Sequence, residues 1–308
     1  MKVYHEIADF QKLPNAIVTI GTFDGVHLGH QKILARLQEM AAAENGQTVV
    51  VTFWPHPRMV VSQDSQNLRL LSTIDEKIEL LREQGIHHLL IIPFTRAFSE
   101  LSSEEFVQTV LINAIGTQKL VIGYDHHFGR NREGSFEHLQ QNATRYGFVI
   151  EEIPRQEIDS LTISSTKIRQ SLSNGDTHTA NELLGKNYTF SGVIVKGRQL
   201  GRTIGYPTAN VHVLEPYKLI PADGVYATRV SVRGQTHDGV MSIGFRPTVN
   251  GIGRTQEVYI FDFQEDIYGE KMTVEIVAYI RPELKFDGLD ALIKAIEADC
   301  EAALKILR

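Results

Sequence analysis

The residues whose types and spacing point most directly to chemistry are those of the run 21–31, which reads Gly-Thr-Phe-Asp-Gly-Val-His-Leu-Gly-His-Gln. The apolar run 16–20 before it has strand character, and 28–40 after it places apolar side chains on one helical stripe. A glycine-containing turn would then lead into a helix whose first turn carries His27 and His30. Because unpaired N–H groups and the positive end of the helix dipole lie there, the run predicts an anion site with two imidazole donors. The alternative is a capped helix with two solvated histidines.

A second anion-binding signal is the run 163–169, Ile-Ser-Ser-Thr-Lys-Ile-Arg. Ser164 or Ser165 can cap a helix whose first turns carry Thr166 and Arg169. Such a helix directs N–H groups, hydroxyls and a guanidinium at one anion. A capped surface helix with an outward arginine is the alternative.

Two further loops of the first half follow predicted strands. The run 53–57, Phe-Trp-Pro-His-Pro, is expected to form an extended rigid loop with flat aromatic surfaces for a ring system, or else a turn with a half-buried aromatic. The run 123–129, Gly-Tyr-Asp-His-His-Phe-Gly, places three titratable side chains between glycines, a pattern typical of functional loops. His126 and His127 are adjacent and point apart, which disfavours joint ligation of a metal.

The second half carries a different set of polar side chains. The glycine-rich runs 192–197 and 201–210 contain no GxxxxGK[ST] motif, so they do not form a P-loop. Thr208 and Asn210 alternate to the same face of a predicted strand, where a hydroxyl and an amide carbonyl can share one Mg²⁺. Glu257 begins another predicted strand, where it is either a solvated carboxylate or a general base.

The pattern of elements up to residue 183 predicts an α/β fold. Short apolar runs typical of parallel sheets alternate with helical stretches, and the latter carry capping boxes at Thr73 and Ser102 and glycine stops at Gly85 and Gly116. The apolar runs are 49–53, 89–92, 120–122 and 148–150. This alternation predicts a doubly wound parallel sheet with ligands at the carboxyl ends of its strands.

After residue 183 the periodicity changes to short β-rich segments separated by Gly and Pro turns. Segments 225–232 and 236–243 flank Arg233-Gly-Gln235 as a predicted hairpin, and the whole stretch predicts a small antiparallel β-barrel. A closing helix from about Leu289 is expected to bury Leu292, Ile293, Ile296, Cys300, Ala303 and Leu307. We therefore place the domains at 1–183 and 184–308.

Composition excludes several classes of protein. The 308 residues are 42% hydrophobic and 22% charged, with a net charge of −6, which disfavours a nucleic-acid-coating surface. The single cysteine, Cys300, excludes an internal disulfide and a CxxC zinc site and is expected to be a buried structural thiol. With no signal-peptide pattern and no apolar stretch of membrane-spanning length, the expected location is cytoplasmic.

These motifs together resemble one family. Residues 21–31 and 163–169 resemble the HxGH and ISSTxIR motifs of the nucleotidyltransferases, and 207–210 resembles the PTAN signature of riboflavin kinases. Over nearly its whole length the chain is similar to the bacterial bifunctional riboflavin kinase/FMN adenylyltransferase (FAD synthetase) family. The resemblance implies ATP-dependent phosphorylation of riboflavin to FMN by the C-terminal domain. The N-terminal domain would then adenylylate FMN to FAD and release pyrophosphate.

The resemblance also assigns roles to residues. It implies His27 and His30 as catalytic contacts to the phosphates of ATP, Glu257 as the base for the flavin 5′-hydroxyl, and Thr208 and Asn210 as Mg²⁺ ligands. The implied nucleotide-binding residues are Gly21, Thr22, Phe23, Gly29, Ser165, Thr166, Arg169, Gly197, Arg202 and Gly205. The implied flavin-binding residues are Phe53, Pro57, Asp125, Phe128, Arg281 and Phe286. His126 stands where the family commonly has Phe, and Ala295 where many relatives have Gln.

The implied cofactor and substrates are Mg²⁺, ATP and flavins, with no nucleic acid or membrane partner. Three alternatives remain: an enzyme with only its kinase half active, a flavin- or nucleotide-sensing protein without turnover, and a nucleotidyltransferase for pantetheine phosphate or a lipid head-group precursor. The last explains residues 21–31 but not 207–210. The sensing alternative has no need of a general base such as Glu257.

Overall fold

The computed structural model describes residues 1–62, 67–123, 128–130, 133–153, 163–197, 200–248 and 251–308. These residues form two compact units, Met1–Ser165 and Thr166–Arg308. None of the described helices is both long enough and apolar enough to cross a membrane.

The first unit alternates strands and helices. Its strands are β1 (Lys2–Tyr4), β2 (Ala16–Ile20), β3 (Gln47–Trp54), β4 (His88–Pro93), β5 (Thr117–Gly123) and β6 (Val149–Ile153). Its helices are α1 (Leu28–Ala43), α2 (Pro57–Val61), α3 (Ile74–Glu83), α4 (Arg96–Ser99), α5 (Ser103–Phe106, continuing as a π-helix over Val107–Ile115) and α6 (Phe136–Tyr146). The alternation confirms the α/β fold predicted for this half of the chain.

The strands of the first unit pair in parallel in the order β1-β4-β3-β2-β5-β6. The chain extends from β2 to one side through β3 and β4 and to the other through β5 and β6. The order therefore reverses between β2 and β5, and ligands of open α/β sheets bind at such a point, outside the carboxyl ends of the strands. The loop 21–27 follows β2, and β5 ends at Gly123.

Local signals in the sequence explain where the helices begin and end. Both predicted capping boxes are present: Thr73 exchanges hydrogen bonds with Glu76 at the start of α3, and Ser102 does so with Glu105 at the start of α5. Gly116, in the left-handed region at φ 79°, closes the π-helix.

One expectation for this unit is wrong. The sequence predicts an extended loop over 53–57, but Phe53 and Trp54 complete β3 and Pro57 begins the short helix α2. His56 caps that helix by accepting a hydrogen bond from the Arg58 N–H. The physical reason is that proline, which has no N–H to leave unpaired, is favoured at the first position of a helix.

The second unit opens with two helices and continues as a barrel. Its elements are α7 (Ser165–Ser173, whose first residue belongs to the first unit), α8 (Thr177–Leu184), β7 (Tyr188–Val195), α9 (Leu200–Thr203), β8 (Thr208–His212), β9 (Gly224–Val232), β10 (Gln235–Thr248), β11 (Gly251–Ile260), β12 (Lys271–Arg281) and α10 (Leu289–Leu307). The strands close an antiparallel barrel in the order β10-β11-β8-β7-β12-β9. The predicted barrel with a C-terminal helix is thereby confirmed.

The hairpin between β9 and β10 shows how the sequence fixes the register. Val232 pairs with Gln235, so Arg233 and Gly234 form the two-residue turn, with φ angles of 51° and 76°. Both positive φ angles match the type I′ turn, whose twist suits a hairpin.

Helix α8 is bonded to the barrel. The Asn181 amide donates to the carbonyls of Ile276 and Val277 at 3.1 and 3.3 Å, and its oxygen accepts from the Tyr188 N–H at 2.8 Å. Thr177 accepts from the Tyr279 N–H at 3.1 Å. These contacts place α8 in the same compact unit as the barrel, which begins at Thr166. The domain boundary at 183/184 stays a prediction.

The C-terminal helix α10 covers one side of the barrel. Ala303 and Leu307 are buried in a cluster with residues of β9 and β10, and the half-buried Cys300 packs against it. Burial raises the pKa of the Cys300 thiol to about 11, which suits the expected structural role. The buried Asp299 lies on the same helix and was not anticipated from the apolar stripe.

Candidate active sites

The turn between β2 and α1 holds an unusual backbone. Phe23 and Val26 adopt positive φ angles of 46° and 42°, beside Gly25 at 81°. A Cβ at Gly21 would lie 3.0 Å from the Phe23 ring, which explains the glycine there. The Thr22 carbonyl accepts from the Thr52 hydroxyl at 3.4 Å. Non-glycine residues in the left-handed region persist where surrounding structure holds them, and such positions cluster at functional sites.

Asp24 holds this turn in place. Its carboxylate oxygen accepts from the N–H groups of Leu71 and Ser72 at 2.8 and 3.2 Å, while the Ser72 hydroxyl accepts from the Gly25 N–H at 3.2 Å. The Asp24 carbonyl accepts from the Ser165 hydroxyl at 3.0 Å. Asp24 thus joins the turn to the segment before α3 and to Ser165, the last residue of the first unit.

His27 and His30 form a stacked pair at the start of α1, with ring centroids 3.6 Å apart and planes inclined by 16°. His27 caps the helix, since its Nδ1 accepts from the His30 N–H at 3.4 Å. In the neutral ring the proton of His27 must then be on Nε2. Burial, followed by the charges of His27 and Lys77, holds the pKa of His30 well below its usual range. The structure thus brings both histidines together at the start of α1, as predicted, and the low pKa of His30 favours its neutral form.

Lys77 is a charged residue at this site that the sequence analysis missed. Only 2% of it is exposed, on the face of α3 that also buries Leu81. Burial lowers the pKa of Lys77 to about 8, and the Asp24 carboxylate opposes that shift. The sequence does contain a signal for this residue, a lysine on the apolar stripe of an amphipathic helix. A lysine is rarely buried without a partner, so such a position indicates a charged or polar neighbour.

The implied flavin-binding aromatics of the first unit lie in its core. Phe53 contacts Phe94 and Phe106, with centroid distances of 5.6 and 6.5 Å, and Phe128 is 5.4 Å from Phe106. Pro57 is half-buried at the start of α2. The implied flavin contact Asp125, with the neighbouring His126, lies outside the described residues, so its role stays a prediction.

The motif 163–169 forms the start of α7 as predicted. The Arg169 guanidinium donates to the Thr166 hydroxyl at 3.2 Å, one turn away, and Thr166 is exposed. Ser165 is the first helical residue, and its hydroxyl bonds to Asp24. Gly29 lies buried in the first turn of α1. The nucleotide contacts implied for these residues remain predictions.

In the second unit, the strands bring together the residues of the predicted kinase site. Asn210 on β8 stands directly opposite Glu257 on β11, and Thr208 stands opposite Tyr259. Because alternate residues share a face, Thr208, Asn210 and Glu257 lie on the same side of the sheet. The Thr208 hydroxyl donates to Glu257 Oε2 at 3.2 Å.

Thr255 is a second partner of Glu257 that the sequence analysis did not single out. Its hydroxyl lies 3.4 Å from Glu257 Oε1 and 3.4 Å from the Gly244 carbonyl. Glu257 therefore has a hydroxyl at each carboxylate oxygen, which holds its position. Thr255 could have been found from its spacing of two residues from Glu257, because alternate residues of a strand lie on the same face.

Gly197, in the first of the two glycine-rich runs, lies directly against this site. A Cβ at Gly197 would lie 2.9 Å from the Asn210 side-chain carbon, so only glycine fits there without displacing the amide. The segment before Thr208 contains α9, the exposed Arg202 and Gly205 at φ 87°. Gly197 is thus placed with Asn210, whereas no described contact ties Arg202 to them.

Arg281 is paired within the protein. Its Nε and one terminal nitrogen donate to the two carboxylate oxygens of Asp299 at 2.7 and 2.6 Å. The guanidinium carbon also lies 5.8 Å from the centre of the Phe286 ring. This bidentate pair fastens the end of β12 to α10. Flavin contacts by Arg281 and Phe286 remain predictions.

Comparisons with known proteins address both units. A family model of FAD synthetases matches residues 9–167, and one of riboflavin kinases matches residues 184–307. The bifunctional riboflavin kinase/FMN adenylyltransferase of Listeria monocytogenes is 40% identical over 286 residues, covering 92% of this chain and 90% of that protein. The protein of the same name from Haemophilus influenzae is 39% identical over 292 residues, covering 94% of each.

A solved structure shows the same fold along the whole chain. It is a crystal structure described as the macrolide-efflux protein of Streptococcus pneumoniae, with a TM-score of 0.88 and 32% identity, covering 98% of both chains. That description belongs to the streptococcal protein, and the likeness in fold does not transfer it.

Proposed function

The chain belongs to the family of bifunctional riboflavin kinases/FMN adenylyltransferases, and from that premise we propose how its residues perform the two reactions. It phosphorylates riboflavin to FMN with ATP, and it adenylylates FMN to FAD with release of pyrophosphate. The observation that carries this function is that two family models match consecutive stretches of one chain, each with its own motif set.

In the N-terminal unit, an oxygen of the FMN phosphate attacks the α-phosphorus of ATP, and the bond from that phosphorus to the departing pyrophosphate breaks. Negative charge builds on the transferred group and on pyrophosphate. The N-terminus of α1, the Nε2–H group of His27 and the imidazole of His30 are proposed as preorganised donors for that charge. A neutral imidazole such as that of His30 suffices here, because donors held in position stabilise charge without a proton transfer.

In the C-terminal unit, Glu257 accepts the proton of the riboflavin 5′-hydroxyl as that oxygen attacks the γ-phosphorus of ATP and ADP leaves. The hydroxyls of Thr208 and Thr255 at the two carboxylate oxygens orient this base. A base held by two neighbours loses little conformational freedom in the reaction.

Mg²⁺ is proposed as the cofactor of both reactions, and the donor set of the second unit fits it. Thr208 gives its hydroxyl proton to Glu257, so the lone pairs of that oxygen are available to a hard cation, and Asn210 adds an amide oxygen on the same face. Among the described residues no cluster of three His, Cys, Asp or Glu side chains could hold a metal. Two neutral oxygens plus ATP phosphates match the usual mode of Mg²⁺, which would neutralise the triphosphate.

The remaining roles are proposed from the family motifs. Thr166 and Arg169 would bind nucleotide, with support from the hydrogen bond that aligns them. Gly197, Arg202 and Gly205 would likewise bind nucleotide. Cytoplasmic location stays a prediction of the sequence.

The experiment that tests the function follows the flavins over time. Purified protein with riboflavin and Mg–ATP is sampled and chromatographed, and FMN is expected to appear first and FAD later. Conversion that stops at FMN would refute the adenylyltransferase half, and no conversion of riboflavin beside full conversion of supplied FMN would refute the kinase half.

A further inference from the structure

A buried cation lies in the N-terminal unit and has no role in the reaction described above. Lys77 is 2% exposed, on a helix fixed at its start by the capping box of Thr73 and Glu76. The segment directly before that helix bonds to Asp24 in the turn after β2. Lys77 is electrostatically coupled to Asp24 and to His30. The capping box and the Asp24 bonds thus hold the start of α3, and with it the buried Lys77, against the turn that leads into the stacked histidines.

A purely structural explanation would make Lys77 the counter-ion of Asp24. Asp24, however, already accepts two backbone N–H bonds on one oxygen, at 2.8 and 3.2 Å. Such bonds stabilise a carboxylate without any cation. The Asp24 charge also does not offset the burial of Lys77, whose pKa remains lowered to about 8. Asp24 is therefore not held by Lys77 alone, and an anion at the neighbouring histidines would give the buried ammonium a further partner.

We propose that Lys77 is a positioning residue of the FMN adenylyltransferase reaction, whose buried charge adds positive potential beside His30, where the triphosphate of ATP binds. This inference rests on the proposed function of the same unit. The ammonium acts through His30 and through the field at the N-terminus of α1, not by proton transfer. In a buried site such a field is screened little, and it stabilises the charge that develops on pyrophosphate.

The test compares four variants with the intact protein. K77M removes the charge and keeps the length of the side chain, and K77R keeps the charge. D24N/K77M makes the pair neutral, while the amide oxygen introduced at position 24 can still accept the two backbone bonds. K119M is the matched control, since Lys119 is a lysine of the same unit that pairs with Glu44. Riboflavin phosphorylation, measured on each sample, is the internal control for folding, together with the thermal midpoint.

We expect K77M to lower kcat/KM for ATP in FAD synthesis by about 10²-fold, the effect of losing one preorganised electrostatic contact. K77R should recover most of the rate, and K119M should leave it unchanged. D24N/K77M should stay as slow as K77M. If neutralising both partners restored the rate, Lys77 would be only the counter-ion of Asp24 and the proposal would be wrong. If K77M does not fold, K77R and D24N/K77M still decide between the two roles.

A pH profile gives a readout that a structural role would not move. The titratable groups coupled to Lys77 are Asp24 and His30, and His30 is coupled to His27. Because the pKa of Lys77 is about 8, the charge is present below that pH and lost above it. The wild-type kcat/KM for ATP should therefore fall above pH about 8, and K77R should keep its rate to higher pH because a guanidinium stays protonated. The same alkaline fall in K77M would contradict the proposal.

The outcomes separate this proposal from the function on which it rests. Wild-type protein that forms FMN but no FAD refutes the adenylyltransferase assignment and Lys77 with it. If wild-type protein forms FAD no faster than K77M does, only the proposed role of Lys77 is refuted.

Discussion

Replacing Glu257 by Gln tests the general base of the kinase reaction with the smallest change of shape. Gln keeps the volume of the side chain; its oxygen can accept from one of the hydroxyls of Thr208 and Thr255, and its NH2 group can donate to the other. What it cannot do is accept the proton of the riboflavin 5′-hydroxyl. General-base catalysis contributes about 10²–10⁴ in rate, which corresponds to roughly 3–5.5 kcal/mol of barrier. We expect kcat for riboflavin phosphorylation to fall by that factor.

The variant T255V separates proton transfer from the positioning of the base. It removes one hydroxyl that lies 3.4 Å from Glu257 Oε1, near the long end of hydrogen-bond distances. The net value of such a bond is about 1 kcal/mol, so the kinase rate should fall only about fivefold. The base is retained in T255V and lost in E257Q, and the two effects should therefore differ by at least an order of magnitude.

The assay measures both reactions on one preparation. Riboflavin with Mg–ATP reports the kinase, and supplied FMN with Mg–ATP reports FAD synthesis, which should be unchanged in both variants. A kinase rate in E257Q equal to that of wild type would show that Glu257 is a solvated carboxylate and not the general base. Equal losses in E257Q and T255V would show that the arrangement of the site matters and not the base.

Three further results are expected. H27A should lower FAD formation by about 10²–10³ through loss of one phosphate donor and the helix cap, while FMN formation continues; parallel loss of both activities in folded protein would contradict this. R281M leaves the Asp299 carboxylate, whose side chain is 9% exposed, without its bidentate partner. The free energy of unfolding measured in urea should therefore be lower by about 1–3 kcal/mol. An unchanged free energy of unfolding with a raised KM for riboflavin would make Arg281 a flavin contact instead. The fragment 166–308 should fold and phosphorylate riboflavin. Its thermal midpoint should be higher than that of the fragment 184–308, which lacks the bonds of Asn181 and Thr177 to the barrel. Equal midpoints would favour the boundary at 183/184.

Short-range signals in the sequence predicted much of the fold. The capping boxes at Thr73 and Ser102 and the glycine stop at Gly116 involve residues only a few positions apart, so local chemistry determines them. The Arg233-Gly234 turn is fixed in the same way, because glycine tolerates the positive φ angle. The PTAN and HxGH motifs were found because each motif lies within one turn or strand.

Long-range pairings were not predictable from one sequence. The bond of Asp24 to Leu71, the pair of Arg281 with Asp299 and the attachment of Asn181 to β12 join residues far apart in the chain. The position of Lys77 on the buried stripe of α3 could be read from the sequence, but its coupling to His30 could not, because His30 comes from another element. The loop predicted around Pro57 was wrong because proline fits both an extended loop and the first turn of a helix.

The central claim is that two separate sites perform consecutive reactions, and mixing two variants tests it most directly. H27A with riboflavin and Mg–ATP should accumulate FMN and form almost no FAD. E257Q should leave riboflavin almost unchanged yet convert supplied FMN to FAD. An equimolar mixture of the two should convert riboflavin to FAD, because FMN released by the first is the substrate of the second. A mixture that forms no FAD, although each variant is folded, would contradict the account.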